Sequence, residues 1–188
     1  MLDNTGFDIW SNGYDKNVNL SDESNEYPFD GYKNVLNYIY KQVREKSNAN
    51  ILDIGFGTGI LTTQLYNSGY SITGIDFSSN MIGIAKKKMP QATLINCDFS
   101  KGLPDEGKNN LIKLLYNMLT KTGEIFLGDV SFKTRDELDK CREIYNKQWD
   151  NDEFYFISEE IKRNLVSECL CKYAKISQCA GVLTITNK

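Results

Sequence analysis

The stretch Asn50-Ile-Leu-Asp-Ile-Gly-Phe-Gly-Thr-Gly59 decides how this sequence folds. Asn50 to Ile54 reads as a short, largely apolar strand, and three glycines in the next five positions end it. From Ile60 to Asn67 apolar residues return at helical spacing, so the stretch reads strand, tight turn, helix. Only glycine lets a backbone turn this sharply and approach a ligand closely, which makes the turn a candidate nucleotide site. A plain tight turn is the alternative, and an acidic residue seventeen positions beyond Gly59, Asp76 at the next strand end, argues against it.

Outward from this core the pattern repeats. Upstream, Tyr32, Val35, Leu36, Ile39, Tyr40 and Val43 share one face of a helix predicted over 30–46. Downstream, 71–75 is a second strand ended by Asp76, and Ser78 or Ser79 caps a helix reaching Lys88. A third strand, 93–97, ends at Asp98. A helix over 106–120 leads to a fourth strand, 124–130. Thr134 and Glu137 form a capping box for a helix to Trp149, and Ser158 caps one ending near Cys169. Segments 170–178 and 182–187 read as an antiparallel hairpin around Ala180-Gly181. Strands alternating with helices predict an α/β class with a mostly parallel sheet. Right-handed crossovers would order it third, second, first, fourth, then the hairpin. Residues 1–29, polar but carrying Trp10, Tyr14 and Tyr27, read as an N-terminal lid segment, and 30–188 as one domain.

Composition removes whole classes of chemistry. The 188 residues contain no histidine, so imidazole bases and histidine metal sites are excluded. A net charge of -3 gives no positive field for a phosphate backbone, and no nucleic-acid partner is expected. No apolar run has the length of a membrane span, so no membrane partner is expected either. Five cysteines, an odd number, and a start without a secretion signal predict reduced thiols and a cytoplasmic protein. Cys169 and Cys171 have strand spacing rather than the paired spacing of a zinc site, so no metal is expected.

Asp76 offers two oxygens that match a vicinal diol such as a ribose; helix capping is its plainer role. Asp98 stands at the next strand end, where a carboxylate meets an adenine amino group or simply opens a turn.

Leu52-Asp-Ile-Gly-Phe-Gly-Thr-Gly59, Gly74-Ile-Asp-Phe-Ser78 and Asn96-Cys-Asp-Phe99 together resemble the first three motifs of class I S-adenosylmethionine-dependent methyltransferases. The resemblance runs from about Asp30 to the C-terminus, and Trp10, Tyr14 and Tyr27-Pro-Phe29 are similar to the lid of small bacterial members. It implies a Rossmann-like fold with helices on both faces of the sheet and S-adenosylmethionine as cofactor. Asp53, Gly55, Gly57 and Gly59 would hold the methionyl part, Asp76 the ribose, and Asp98 with Phe99 the adenine. Phe77 and Tyr14 complete the cofactor set. Met81 would pack on the adenosine or, as its amphipathic helix equally suggests, in the core.

The family has a further strand after the third motif, but here only Phe99 to Asp105 precedes the next helix. One strand, a segment of roughly 15 to 25 residues, is therefore expected to be missing after residue 104. The resulting expectation is methyl transfer to a small-molecule acceptor, with Trp10, Asp129 and Ser131 on the acceptor side. The alternative is a non-catalytic or regulatory binder of S-adenosylmethionine that has lost part of its acceptor site.

Overall fold

The computed structural model describes residues 30–98, 107–151, 153, 155–165 and 169–188, and they fall into two compact units. Helix α1, Tyr32–Arg44, contributes to both. In the unit holding 30–39 and 107–188, Val35 is 2% exposed and packs with Ala180 and Val182. There α1 lies so close to strand residue Gly128 that a Cβ built on it would stand 2.7 Å from Ile39 and 2.8 Å from Val35. In the unit holding 40–98, Val43 is buried, and the Tyr70 hydroxyl donates to the carbonyls of Val43 (3.1 Å) and Lys46 (2.9 Å).

The 40–98 unit contains β1 (Asn50–Ile54), α2 (Ile60–Asn67), β2 (Ser71–Asp76), α3 (Ser79–Lys88) and β3 (Thr93–Asn96). Its strands form a parallel sheet in the order β1-β2-β3, with Asp53 opposite Gly74 and Asp76 opposite Asn96. Alternation along the strands puts Ile72, Gly74 and Asp76 on one face, all buried, while Leu52 and Ile95 of the other face are exposed. Leu65 of α2, Met81 and Ala85 of α3, and Met89 just after it form the core. Met81, at 2% exposure, is therefore a core residue.

The second unit contains α4 (Gly107–Asn117), β4 (Glu124–Phe132), α5 (Arg135–Ile144), β5 (Phe156–Ile157), α6 (Ser158–Asn164), β6 (Cys169–Lys175) and β7 (Ala180–Asn187). Its sheet runs β5-β4-β7-β6. β7 is antiparallel to both β4 and β6, and β5 lies parallel to the tip of β4. Leu183 and Ile185 of β7 pack with Ile112 of α4 and Ile161 of α6. Phe132, Leu138 and Ile157 gather with Cys141 and Cys179 in a second cluster.

The α/β class, the parallel run and the closing hairpin agree with the sequence reading. The expected strand order does not: among the described residues β1 bonds to β2 alone, and β4 belongs to a separate sheet. Crossover handedness by itself sets no pairing between β1 and β4 once a strand between them is lost. Among the described residues the second edge of β4 is taken at its tip by β5, and its first by β7. Two helices also end early. α5 stops at Ile144 because Trp149 reaches the Phe132 cluster from a turn, continuing the apolar spacing without the helix. Cys169 opens β6 instead of closing α6.

The expectation of five reduced thiols is also corrected. Cys141 and Cys179 form a disulfide with their Cα atoms 6.2 Å apart and both residues buried. Their separation of 38 residues left no sequence signal. Cys97, Cys169 and Cys171 are free. No helix among the described residues is long and apolar enough to cross a membrane.

Candidate functional site

The loop between β1 and α2 is built from three left-handed glycines, with φ of 75° at Gly55, 58° at Gly57 and 77° at Gly59. Each amide has a fixed destination. Gly55 donates to the Ile75 carbonyl (2.8 Å), Gly57 to Asp76 Oδ2 (2.8 Å) and Gly59 to the Phe56 carbonyl (2.9 Å). Phe56 is buried over Gly74, where a Cβ would come within 2.7 Å of its ring. Among the described residues nothing lies within 4 Å of a Cβ built on Gly55.

Asp76 is 4% exposed, and the Ser78 amide donates to its Oδ1 at 2.9 Å. Each of its oxygens thus accepts one backbone N–H and keeps a second lone pair for a ligand. Ser78, buried, caps α3 by accepting from the Met81 amide. Asp53 accepts from the Thr62 hydroxyl at 2.5 Å. Burial pushes its carboxyl above the ordinary range; the Thr62 hydrogen bond opposes this and the nearby Asp76 charge adds to it. The Cys97 amide donates to the Asp76 carbonyl, which sets Asp98, half-buried, next along the chain.

The C-terminal ends of β1, β2 and β3 thus gather Asp53, the three glycines, Asp76, Phe77 and Asp98, where ligands bind in open α/β sheets. Two carboxylates beside a glycine cradle suit a cationic cofactor. Phe99, Tyr14 and Trp10 lie outside the described residues, as does the 1–29 segment. Asp129 and Ser131 belong to the other unit, and both sit within β4 rather than in a loop after it. Asp129 is exposed and its Oδ1 accepts from the Val130 amide. Ser131 is 3% exposed. Its amide donates to the Cys179 carbonyl, its carbonyl accepts from the Tyr173 hydroxyl (2.7 Å), and its own hydroxyl has no hydrogen-bond partner among the described residues.

Residues 51–123 match the family model of a methyltransferase domain. An uncharacterised methyltransferase of Oceanobacillus iheyensis is 31% identical over 175 positions, which take in 84% of this chain and 78% of the relative. The chain belongs to the class I S-adenosylmethionine-dependent methyltransferases. An uncharacterised methyltransferase of Bacillus cytotoxicus is 32% identical over 155 positions, covering 73% of this chain and 71% of its own. Two solved structures share the fold. Magnesium protoporphyrin IX methyltransferase of Synechocystis with bound S-adenosylmethionine has a TM-score of 0.62 at 16% identity, over 85% of this chain and 81% of its own. DhpI in complex with S-adenosylhomocysteine has a TM-score of 0.67 at 14% identity, over 98% and 94%.

The alignments also measure what this methyltransferase lacks. Since 84% of 188 residues is about 158, about 17 of the 175 positions shared with the Oceanobacillus protein have no residue in this chain, the size of a strand with its connections. With the Bacillus protein 73% is about 137 residues, leaving about 18 of 155 positions, so the shortfall persists as the alignment shortens and is internal.

Sequence reasoning missed several residues of the methyltransferase site. Thr62 is buried in the first turn of α2, and its position facing back to β1 was the available signal. Asn96 donates through Nδ2 to the Phe77 carbonyl (3.0 Å) and the Asp76 carbonyl (3.3 Å), bracing the turn that carries both residues. Lys88, which the sequence marks only as the end of a helix, donates to the Thr58 carbonyl at 3.0 Å.

Proposed function

We propose that this methyltransferase binds S-adenosylmethionine on the glycine loop, with Asp53 on the amino group of the methionyl part, Asp76 on the ribose, and Phe77 and Asp98 beside the adenosine. The observation that carries this reading is the Gly57 amide bonded to Asp76, which fixes loop and ribose acceptor together at the ends of adjacent strands. Phe99 and Tyr14 complete the proposed cofactor set, and residues 1–29 form the proposed lid.

The proposed acceptor is a small molecule carrying a thiol, an amine or an acidic hydroxyl, with Trp10, Asp129 and Ser131 as its proposed contacts. S-adenosylmethionine supplies a methyl made electrophilic by its sulfonium. The protein aligns the acceptor lone pair with that methyl and excludes water. The chain has no histidine to serve as a base tuned near neutral pH, so an acceptor that arrives nucleophilic fits best. The net charge of -3 supports a small molecule over a nucleic acid, and the cytoplasm is the proposed location.

Calorimetric titration with S-adenosylmethionine, followed by measurement of S-adenosylhomocysteine against thiols, amines and phenols, tests both parts. Asp76→Ala should weaken cofactor binding by roughly 1.5–3 kcal/mol, the worth of hydrogen bonds to a charged group. Unchanged affinity would move the cofactor elsewhere. Efficient methylation of an unactivated alcohol, or no turnover with any of the three acceptor classes, would overturn the acceptor assignment.

A further inference from the structure

Three lysines, Lys86, Lys87 and Lys88, close α3, and two of them bond to carbonyls of other segments. Lys86 Nζ donates to the Ala92 carbonyl (2.8 Å), which leads into β3. Lys88 Nζ crosses thirty positions of sequence to the Thr58 carbonyl (3.0 Å), in the middle of the glycine loop. Thr58 is 2% exposed and stands between two left-handed glycines. The N–H of the same peptide, that of Gly59, donates to the Phe56 carbonyl, so Lys88 anchors the 58–59 peptide at its other end. The same end of α3 supports the next residue from below: a Cβ built on Gly59 would stand 3.0 Å from Met89 Cε and 3.6 Å from Ala85 Cβ, both residues fully buried.

We propose that Lys88 is a positioning residue for the methyl donor: its ammonium holds the Thr58 carbonyl and keeps the glycine loop in the shape that receives S-adenosylmethionine. This rests on the reading that the cofactor sits on that loop. Replacing the ammonium by an apolar chain of similar length leaves the 58–59 peptide held at its N–H alone, and binding must then meet the cost of ordering its carbonyl side.

The test is calorimetric binding of S-adenosylmethionine and S-adenosylhomocysteine to the full chain carrying Lys88→Met, Lys88→Gln, Lys88→Arg or Asp76→Asn, with melting curves with and without ligand. Lys88→Met should weaken both ligands about tenfold and shrink the ligand-induced rise in Tm, Lys88→Gln should weaken them less, and Lys88→Arg should stay within about threefold of the parent. A fall in Tm with unchanged affinity would reduce Lys88 to ordinary packing and overturn the proposal. Equal losses for Lys88→Met and Lys88→Arg would also overturn it, since size and not the donor would then matter. Asp76→Asn separates the two layers of the argument. If it weakens binding and Lys88→Met does not, the positioning role alone fails; if neither does, the cofactor lies elsewhere and the underlying reading fails.

Discussion

Ionising Asp53 places a second negative charge near Asp76 with little water to spread it, and the Thr62 hydroxyl offsets only part of the cost. Because its pKa is raised in the folded chain, this group favours folding below the ordinary carboxylate range. That contribution is lost as pH rises through the elevated value. At neutral pH Asp53 is therefore a burden on stability, and its proposed use is to meet the amino group of the cofactor. Asp53→Asn should raise Tm at pH 7 by about 2–4 °C, the equivalent of ~1 kcal/mol in a domain of this size, while weakening S-adenosylmethionine. Melting curves at pH 5 and pH 7 check the sign, since the gain should shrink on acidification. Gly59→Ala should act in the opposite sense. A left-handed φ of 77° costs a side chain about 1–2 kcal/mol, and Met89 blocks the new Cβ, so a Tm lower by about 2–8 °C is expected.

The disulfide ties the middle of α5 to the turn before β7, closing a loop across a sequence separation of 38 residues. A loop of that length loses about 4 kcal/mol of stability when opened, on the chain-entropy account. Cys141→Ala or treatment with a reductant should therefore destabilise the protein by roughly 2–4 kcal/mol, measured by urea unfolding. Peptide mapping without reductant should recover the 141–179 link, and five titratable thiols in denaturant would contradict it. Nothing in the sequence could pair these two residues, because one lies on a helix and the other in a turn far along the chain. The start of α5, in contrast, was legible. Thr134 Oγ1 accepts from the Glu137 amide, and Glu137 reaches back, though to the Lys133 amide rather than to that of Thr134. Burial alone would raise the Glu137 carboxyl, but the Lys133 amide and the Lys175 ammonium outweigh it and hold it low. Elements whose signal is local, such as the glycine loop and this cap, could be read directly. β5 could not, since two residues carry no periodicity and Phe156–Ile157 is a strand only because β4 bonds to it.

Across the whole chain, the shortfall of about 17 positions against the Oceanobacillus relative agrees with β1 having one strand neighbour among the described residues. In a parallel ladder alternate amides point to each side, so β1 should show a split in hydrogen exchange. Its amides turned toward β2 should be protected and the intervening ones should exchange orders of magnitude faster, while β2, bonded on both sides, is protected throughout. Uniform protection along 50–54 would show a second neighbour on β1. The strand count was legible because it rested on counting residues between motifs. The pairing was not, because it depends on which edges find partners after the strand is lost.

Helix α1 bears on how the protein can be taken apart. The boundary between the two units falls between Ile39 and Tyr40, inside its hydrogen-bonded turns, with Val35 buried in one core and Val43 in the other. An expression boundary placed there would cut a helix in two and leave each fragment with an apolar half-helix too short to persist by itself. Either fragment should therefore show less helix by circular dichroism than its share of the intact methyltransferase, and Val35→Ala and Val43→Ala, buried one in each unit, should each lower the Tm of the full chain.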